Sequence, residues 1–181
     1  MMVLTAILAF LLGLVGMEGV AWLTHKYIMH GPLWVLHRDH HQPHDHALER
    51  NDLFAFFFAS PAVLLMVLGG GPATFWFWLG AGITGYGIAY MVFHDIIVHR
   101  RIKVSYKPAS RYMKRIIRAH KVHHKSLGKD DAEAFGFLFA LPRYDAKDYA
   151  PGNSRSRNSG SEHPNQIAPE KIGGEPHHQG R

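Results

Sequence analysis

One spacing of histidines occurs twice in this chain of 181 residues, and a long apolar interval separates the two copies. His25 and His30 form HX4H and are followed by His37, His40 and His41 as HX2HH. His94 and His99 repeat the first element, and His120, His123 and His124 repeat the second. Between the copies lie two apolar runs, Leu53 to Leu68 and Thr74 to Phe93, joined by Gly69-Gly70-Gly71-Pro72. Glycine and proline in succession mark a tight turn, so the two runs read as a hairpin that leaves one side and returns to it. The fold therefore has to gather ten imidazoles at one end of that hairpin.

The apolar runs decide the fold class. Met2 to Leu23 is apolar apart from Thr5 and Glu18. At about 1.5 Å per residue, such a run covers a hydrocarbon core of roughly 30 Å. The expected architecture is all-α: an integral membrane bundle of three transmembrane helices. Phe135 to Leu141 (FGFLFAL) is too short to span and is expected to pack on the bundle or dip into the interface, so a fourth transmembrane helix arises only if the run boundaries differ from these. A cleaved signal peptide is the alternative for the first run, but no basic residue precedes it and its apolar stretch exceeds the usual range of about 7 to 15.

Charge sets the expected orientation. Lys26, Arg38 and Arg50 follow the first run and nothing basic precedes it, which places the histidines on the cytoplasmic side and the N-terminus outside. Arg100 to Lys125 holds ten Lys or Arg and no acid, and accounts for most of the formal net charge of +6. Beside apolar spans, this block reads as a cytoplasmic flank on anionic headgroups, with no nucleic-acid role. Its second half has the pattern of an amphipathic interfacial helix, and His37 to Asn51 is expected to be helical at the membrane surface. Residues 1–149 form the expected membrane domain. Residues 150–181 lack apolar periodicity and are rich in Pro, Gly, Ser and Asn, the composition of a disordered tail, so His163, His177 and His178 are incidental.

The chain has no cysteine, which excludes thiolate zinc sites, iron–sulfur ligation and disulfides. Any metal is held by nitrogen and oxygen. Ten imidazoles are too many for one ion of four or six ligands, so His25, His30, His37, His40, His41, His94, His99, His120, His123 and His124 are read as the ligands of two. On an α-helix, positions i, i+3 and i+4 share a face, so each HX2HH group is expected to aim its three rings in one direction. Positions i and i+5 stand about 140° apart, so HX4H needs a helix end or a distortion, and Gly31-Pro32 supplies a break beside the first pair.

His44, His46, Asp39, Asp45 and Asp95 lie beside these residues and are candidates to orient a ligand ring. Glu18 is costly in lipid and is expected to reach the histidine layer. In the third run, Gly80, Gly82, Gly85, Gly87, Tyr86 and Tyr90 serve either helix packing, the favoured reading, or substrate entry. No catalytic residue beyond the metal ligands stands out. A metal transporter or a haem-binding membrane protein is the competing class, but a transporter places polar ligands near the bilayer midplane, whereas these histidines cluster beyond the apolar runs.

The stretches HKYIMHGPLWVLHRDHHQPHDHALERNDL, YGIAYMVFHDIIVHRR and RAHKVHHKSLGKDDAEAFGFLFA carry a resemblance over most of Met17 to Pro142. In order and spacing they resemble the bacterial CrtZ-type beta-carotene hydroxylases, within the fatty acid hydroxylase and sterol desaturase superfamily of membrane di-iron enzymes. The resemblance implies a di-iron membrane monooxygenase of the bacterial inner membrane. It would hydroxylate beta-carotene at the 3-position through beta-cryptoxanthin to zeaxanthin, with two non-haem Fe, O2 as co-substrate and electrons from a ferredoxin. Ketocarotenoids such as canthaxanthin are further expected substrates. The rival within the superfamily is a fatty acyl or sterol hydroxylase or desaturase. The implied partners are the lipophilic carotenoid, the ferredoxin-type donor and membrane lipids; an acidic donor would suit the basic stretch from Arg100.

Overall fold

The structure, a computed structural model, describes residues 2–42 and 48–145. The candidates His44, Asp45 and His46, and the expected C-terminal tail, lie outside the described residues. Helix α1 (Met2–Leu23) runs on through a π turn, Thr24–Met29. Helix α2 (Trp34–His41) follows, then a 3-10 turn at Arg50–Asp52 that leads into α3 (Leu53–Leu68). Helix α4 (Phe75–Tyr90) also continues as a π turn, Met91–Val98, and α5 (Arg111–His123) is the basic helix. Among the described residues there is no strand.

Three continuous helical stretches, Met2–Met29, Arg50–Leu68 and Phe75–Val98, are long and apolar enough to cross a membrane. Their outer faces carry Leu4, Leu8, Leu12, Val15, Phe56, Phe57, Leu64 and Val67 in the open. Apolar exposure on that scale suits lipid contact and not water. The bundle is therefore an integral membrane one. FGFLFAL does not form a fourth helix; it lies in an irregular segment between α5 and a 3-10 turn at Pro142–Tyr144.

Small residues hold α1 against α4. Ala9, Gly13, Met17 and Ala21 are buried at four-residue intervals along one face of α1. A Cβ on Gly13 would stand 2.4 Å from the Leu79 carbonyl oxygen, and one on Gly82 would stand 2.1 Å from that of Phe10. The two backbones touch, which only glycine permits, and packing of this kind drives helix association where lipid removes the hydrophobic force. Gly80 plays the same part against Ala62 of α3. Gly87 has nothing near its missing Cβ and belongs to a cavity described below.

The helix expected over His37–Asn51 begins earlier and stops at His41, where Gln42 turns to extended backbone. Glu49 and Asp52 then close a reciprocal capping box at the entry to α3.

Candidate metal centre

The largest fully buried side chains are all histidines: His25, His37, His94, His120 and His123. A polar core is expensive unless every group in it has a partner. The ten histidines of the duplicated pattern fall into two groups of five, in each of which the candidate ligand atoms lie within 4.8 Å of one another. The first holds His25, His30, His37, His41 and His123; the second holds His40, His94, His99, His120 and His124.

Backbone geometry explains the sorting. Within each π turn the amide of the second histidine bonds to the carbonyl of the first, His30 N to His25 O at 3.0 Å and His99 N to His94 O at 2.9 Å. A π turn closes its hydrogen bond between i and i+5, so it brings together the two rings that an α-helix would splay. This is the distortion HX4H requires, and it lies within the continuing helix, not at its end. The HX2HH triplets behave otherwise than expected. They do not aim three rings one way: His37 and His41 join the first group while His40 joins the second, and His120 and His124 join the second while His123 joins the first. Helices α2 and α5 thus lie along the seam between the groups, and the i+3 residue of each crosses it.

The ring tautomers follow from the outer hydrogen bonds. Nδ1 of His25, His30, His41 and His123 lies 2.8–3.0 Å from the main-chain carbonyl oxygens of Phe135, Lys129, Ser126 and Glu133. Nδ1 of His37 lies 2.7 Å from Oδ1 of Asn51. These oxygens only accept, so all five Nδ1 atoms carry the proton and all five Nε2 atoms present bare lone pairs. Yet Nε2 of His37 is 3.1 Å from Nε2 of both His25 and His41, and Nε2 of His30 is 3.2 Å from that of His123. Lone pairs face each other at hydrogen-bond distance with no proton between them, an arrangement that a cation satisfies.

In the second group, Nδ1 of His40 and His94 donates to Glu49 and Asp95, each at 2.6 Å. The Nε2 atoms of these two rings are 2.9 Å apart, and Nε2 of His99 is 3.0 Å from that of His120. Nε2 of His124 and Nδ1 of His120 are buried with no hydrogen-bond partner among the described residues. The donor set fits two divalent first-row ions: five imidazoles exceed zinc's usual four and leave one position on a six-coordinate ion.

The rings outside the spans are held neutral. Burial lowers the pKa of His41 and His99 to about 4, that of His37 to about 3 and that of His124 to about 2. Loss of hydration is the first cause in each, because it penalises the imidazolium. Burial lowers His40, His120 and His123 as well, with repulsion from neighbouring imidazoles next. A neutral ring is the form that binds metal.

The profile of the fatty acid hydroxylase family matches residues 10–145. The chain belongs to this family. It is 46% identical over 128 residues to the beta-carotene hydroxylase of Pantoea ananas, covering 71% of this chain and 73% of the relative. It is 44% identical over 127 residues to that of a Paracoccus species, covering 70% and 78%. A chloroplastic beta-carotene 3-hydroxylase from an Oncidium hybrid is 38% identical over 143 residues, covering 71% of this chain and 47% of the relative. No solved structure matches the chain.

This hydroxylase has an apolar cavity of about 410 Å³ between α1, α3 and α4. Met17, Phe58, Ile83, Tyr86 and Gly87 line its apolar part, and the exposed Val63, Ile88 and Met91 mark its lipid side. Asn51 and Asp95 close its other end, and these residues hold His37 and His94. Tyr90 and Phe137 also line it; Tyr90 stacks on His94 with centroids 4.5 Å apart, and Phe137 stacks on His25 at 5.5 Å. Of the small and aromatic residues singled out in the third run, Gly80 and Gly82 therefore serve packing, while Tyr86, Gly87 and Tyr90 face the cavity.

Among the described residues Glu18 makes no hydrogen bond to a histidine. Its Oε1 accepts the amides of Phe137, Leu138 and Phe139 at 2.9–3.0 Å, and Oε2 accepts the Tyr86 hydroxyl at 2.8 Å. A carboxylate inside the first span thus pins the irregular segment whose Phe135 carbonyl holds His25 and whose Phe137 roofs the histidines. Asp39 accepts the Arg50 amide at 2.7 Å and makes no hydrogen bond to a ring among the described residues. Two side-chain ring partners escaped the sequence reading, Glu49 and Asn51. Both stand in the ERND stretch, where a cluster of polar residues just ahead of an apolar run was the available signal.

Proposed function

We propose that this hydroxylase is a beta-carotene 3-hydroxylase that converts beta-carotene through beta-cryptoxanthin to zeaxanthin. The observation that carries the reading is the cavity that runs from the lipid side to the residues gripping His37 and His94, in a chain 46% identical to a beta-carotene hydroxylase. An apolar substrate dissolved in the bilayer reaches such a cavity sideways. The volume suits a beta-ionone ring and the start of its polyene; the rest of a C40 chain stays in lipid.

Each group of five histidines holds one ion in this reading, and both ions are iron. A bound pair of irons supplies activation of dioxygen for cleavage of an unreactive C–H bond. The balance is a C–H bond, O2, two electrons and two protons giving a C–OH bond and water, the electrons coming from a ferredoxin-type donor. The chain's own part is positional. Tyr90 and Phe137 form the floor on which the ring rests, and Met17, Phe58 and Ile83 keep water from it. Outer hydrogen bonds to Nδ1 hold every first-group ring in one tautomer, with Nε2 turned inward. The working unit is residues 1–149, in a bacterial inner membrane with the histidines cytoplasmic and the N-terminus outside.

Expression in a bacterial host that accumulates beta-carotene tests this directly. Zeaxanthin should appear under aeration, preceded by beta-cryptoxanthin. Protein present in the membrane with unchanged beta-carotene would overturn the substrate assignment, and hydroxylated fatty acyl or sterol products would redirect it within the family.

A further inference from the structure

The outer hydrogen bonds of the two groups differ in kind. Every Nδ1 of the first group meets a neutral oxygen, four from the main chain and one from Asn51. In the second group His40 and His94 meet carboxylates. Glu49 is fixed from behind: Arg101 binds its other oxygen at 2.9 Å and binds Asp52 at 2.8 Å, while Asp52 accepts the Glu49 amide at 3.0 Å. Its side chain is only 7% exposed, so it has no freedom to turn away from His40. Arg101 is shared between two carboxylates, so Glu49, Asp52, Asp95 and Arg101 together leave an excess of negative charge behind the second group.

A carboxylate on Nδ1–H draws the proton toward itself and makes Nε2 a stronger donor, which a carbonyl does less. We propose that Glu49 and Asp95 position His40 and His94 as stronger donors, so that the group around them holds its metal ion more tightly than the carbonyl-backed group does. They are positioning residues, since they act through the rings and touch no ion. The inference rests on the reading that each group holds one ion. It makes the two positions unequal: the first exchanges its metal, and the second retains it.

The test is competition between the purified full-length protein and a chromophoric chelator, with cobalt(II) as the probe. His25→Ala and His94→Ala assign each binding step to its group. Wild type should show two steps, the tighter one lost in His94→Ala. Glu49→Gln should weaken that step by roughly 10- to 100-fold and leave the other in place, with Asp95→Asn acting alike. Asn51→Leu should weaken only the looser step. A general structural defect would move both steps together, so this split separates positioning from misfolding. Two equal steps in the wild type, or a tighter step untouched by Glu49→Gln and Asp95→Asn, would overturn the proposal. Protein that binds no cobalt at either group would remove the underlying reading as well.

Discussion

Helices α1 and α4 do opposite things at their two ends. Toward the lipid end they press together until backbones touch at Gly13 and Gly82, with no acid, base or histidine on either helix there. At the histidine end each loosens into a π turn, the helices part around a cavity, and the interior becomes polar. Close packing fixes where the helices are, and the looser turns fix where their side chains point. Stability and chemistry are thereby assigned to different ends of the same two elements.

The sharpest way to break that division is at His37, whose Nε2 faces both His25 and His41. His37→Ala should lower hydroxylation by about two orders of magnitude, while membrane accumulation and helix content by circular dichroism stay near wild type. Collapse of the bundle would mean that the histidine end carries the fold after all.

Acid gives the next largest effect. His41 and His99 titrate at about 4 in the folded protein, against 6.5 when unperturbed. Between those values the unfolded chain binds more protons, so stability is complete above about pH 6.5 and drains away as pH falls toward 4. Metal-free protein in detergent should show a melting temperature that drops through this window, and His99→Gln should flatten the slope. A flat profile would place the groups that govern pH elsewhere.

Glu18 lies between the two ends. Glu18→Leu strands the amides of Phe137, Leu138 and Phe139, at about 2–4 kcal/mol, and should lower both the melting temperature and the metal content, while Glu18→Gln keeps an acceptor and recovers most of both. A single substitution made twice on α4 then separates the ends at finer scale. Gly82→Leu drives a side chain into the Phe10 carbonyl and should cost about 1–3 kcal/mol or more, seen as lost folded protein. Gly87→Leu enters open space, so the protein should accumulate normally with full metal content, and KM for the carotenoid should rise about tenfold, near 1.4 kcal/mol. Similar behaviour of the two variants would erase the distinction.

Much of this was legible in the residues. The bounds of α3 follow from where apolar residues begin and end, and the return of His94 to the side of His25 follows from a hairpin of two apolar runs. HX4H declared that a plain α-helix would not serve. The division of HX2HH between two groups was hidden, because helical geometry places i, i+3 and i+4 on one face without saying that two sites share it. The carbonyls of Ser126, Lys129, Glu133 and Phe135 left no trace either: every residue has a carbonyl, and only the path of the irregular segment selects these four. Glu18 was visible as an anomaly in an apolar run, but its partners are backbone amides, which no side-chain pattern encodes.

The exchange of His40 and His123 between the groups reaches back to how the molecule is made. A nascent chain that has emerged only to the end of α3 carries four of the five donors of one group and one of the other. Neither set closes until the ribosome has passed α5, so the order of translation itself withholds a complete cage from any product truncated before His123.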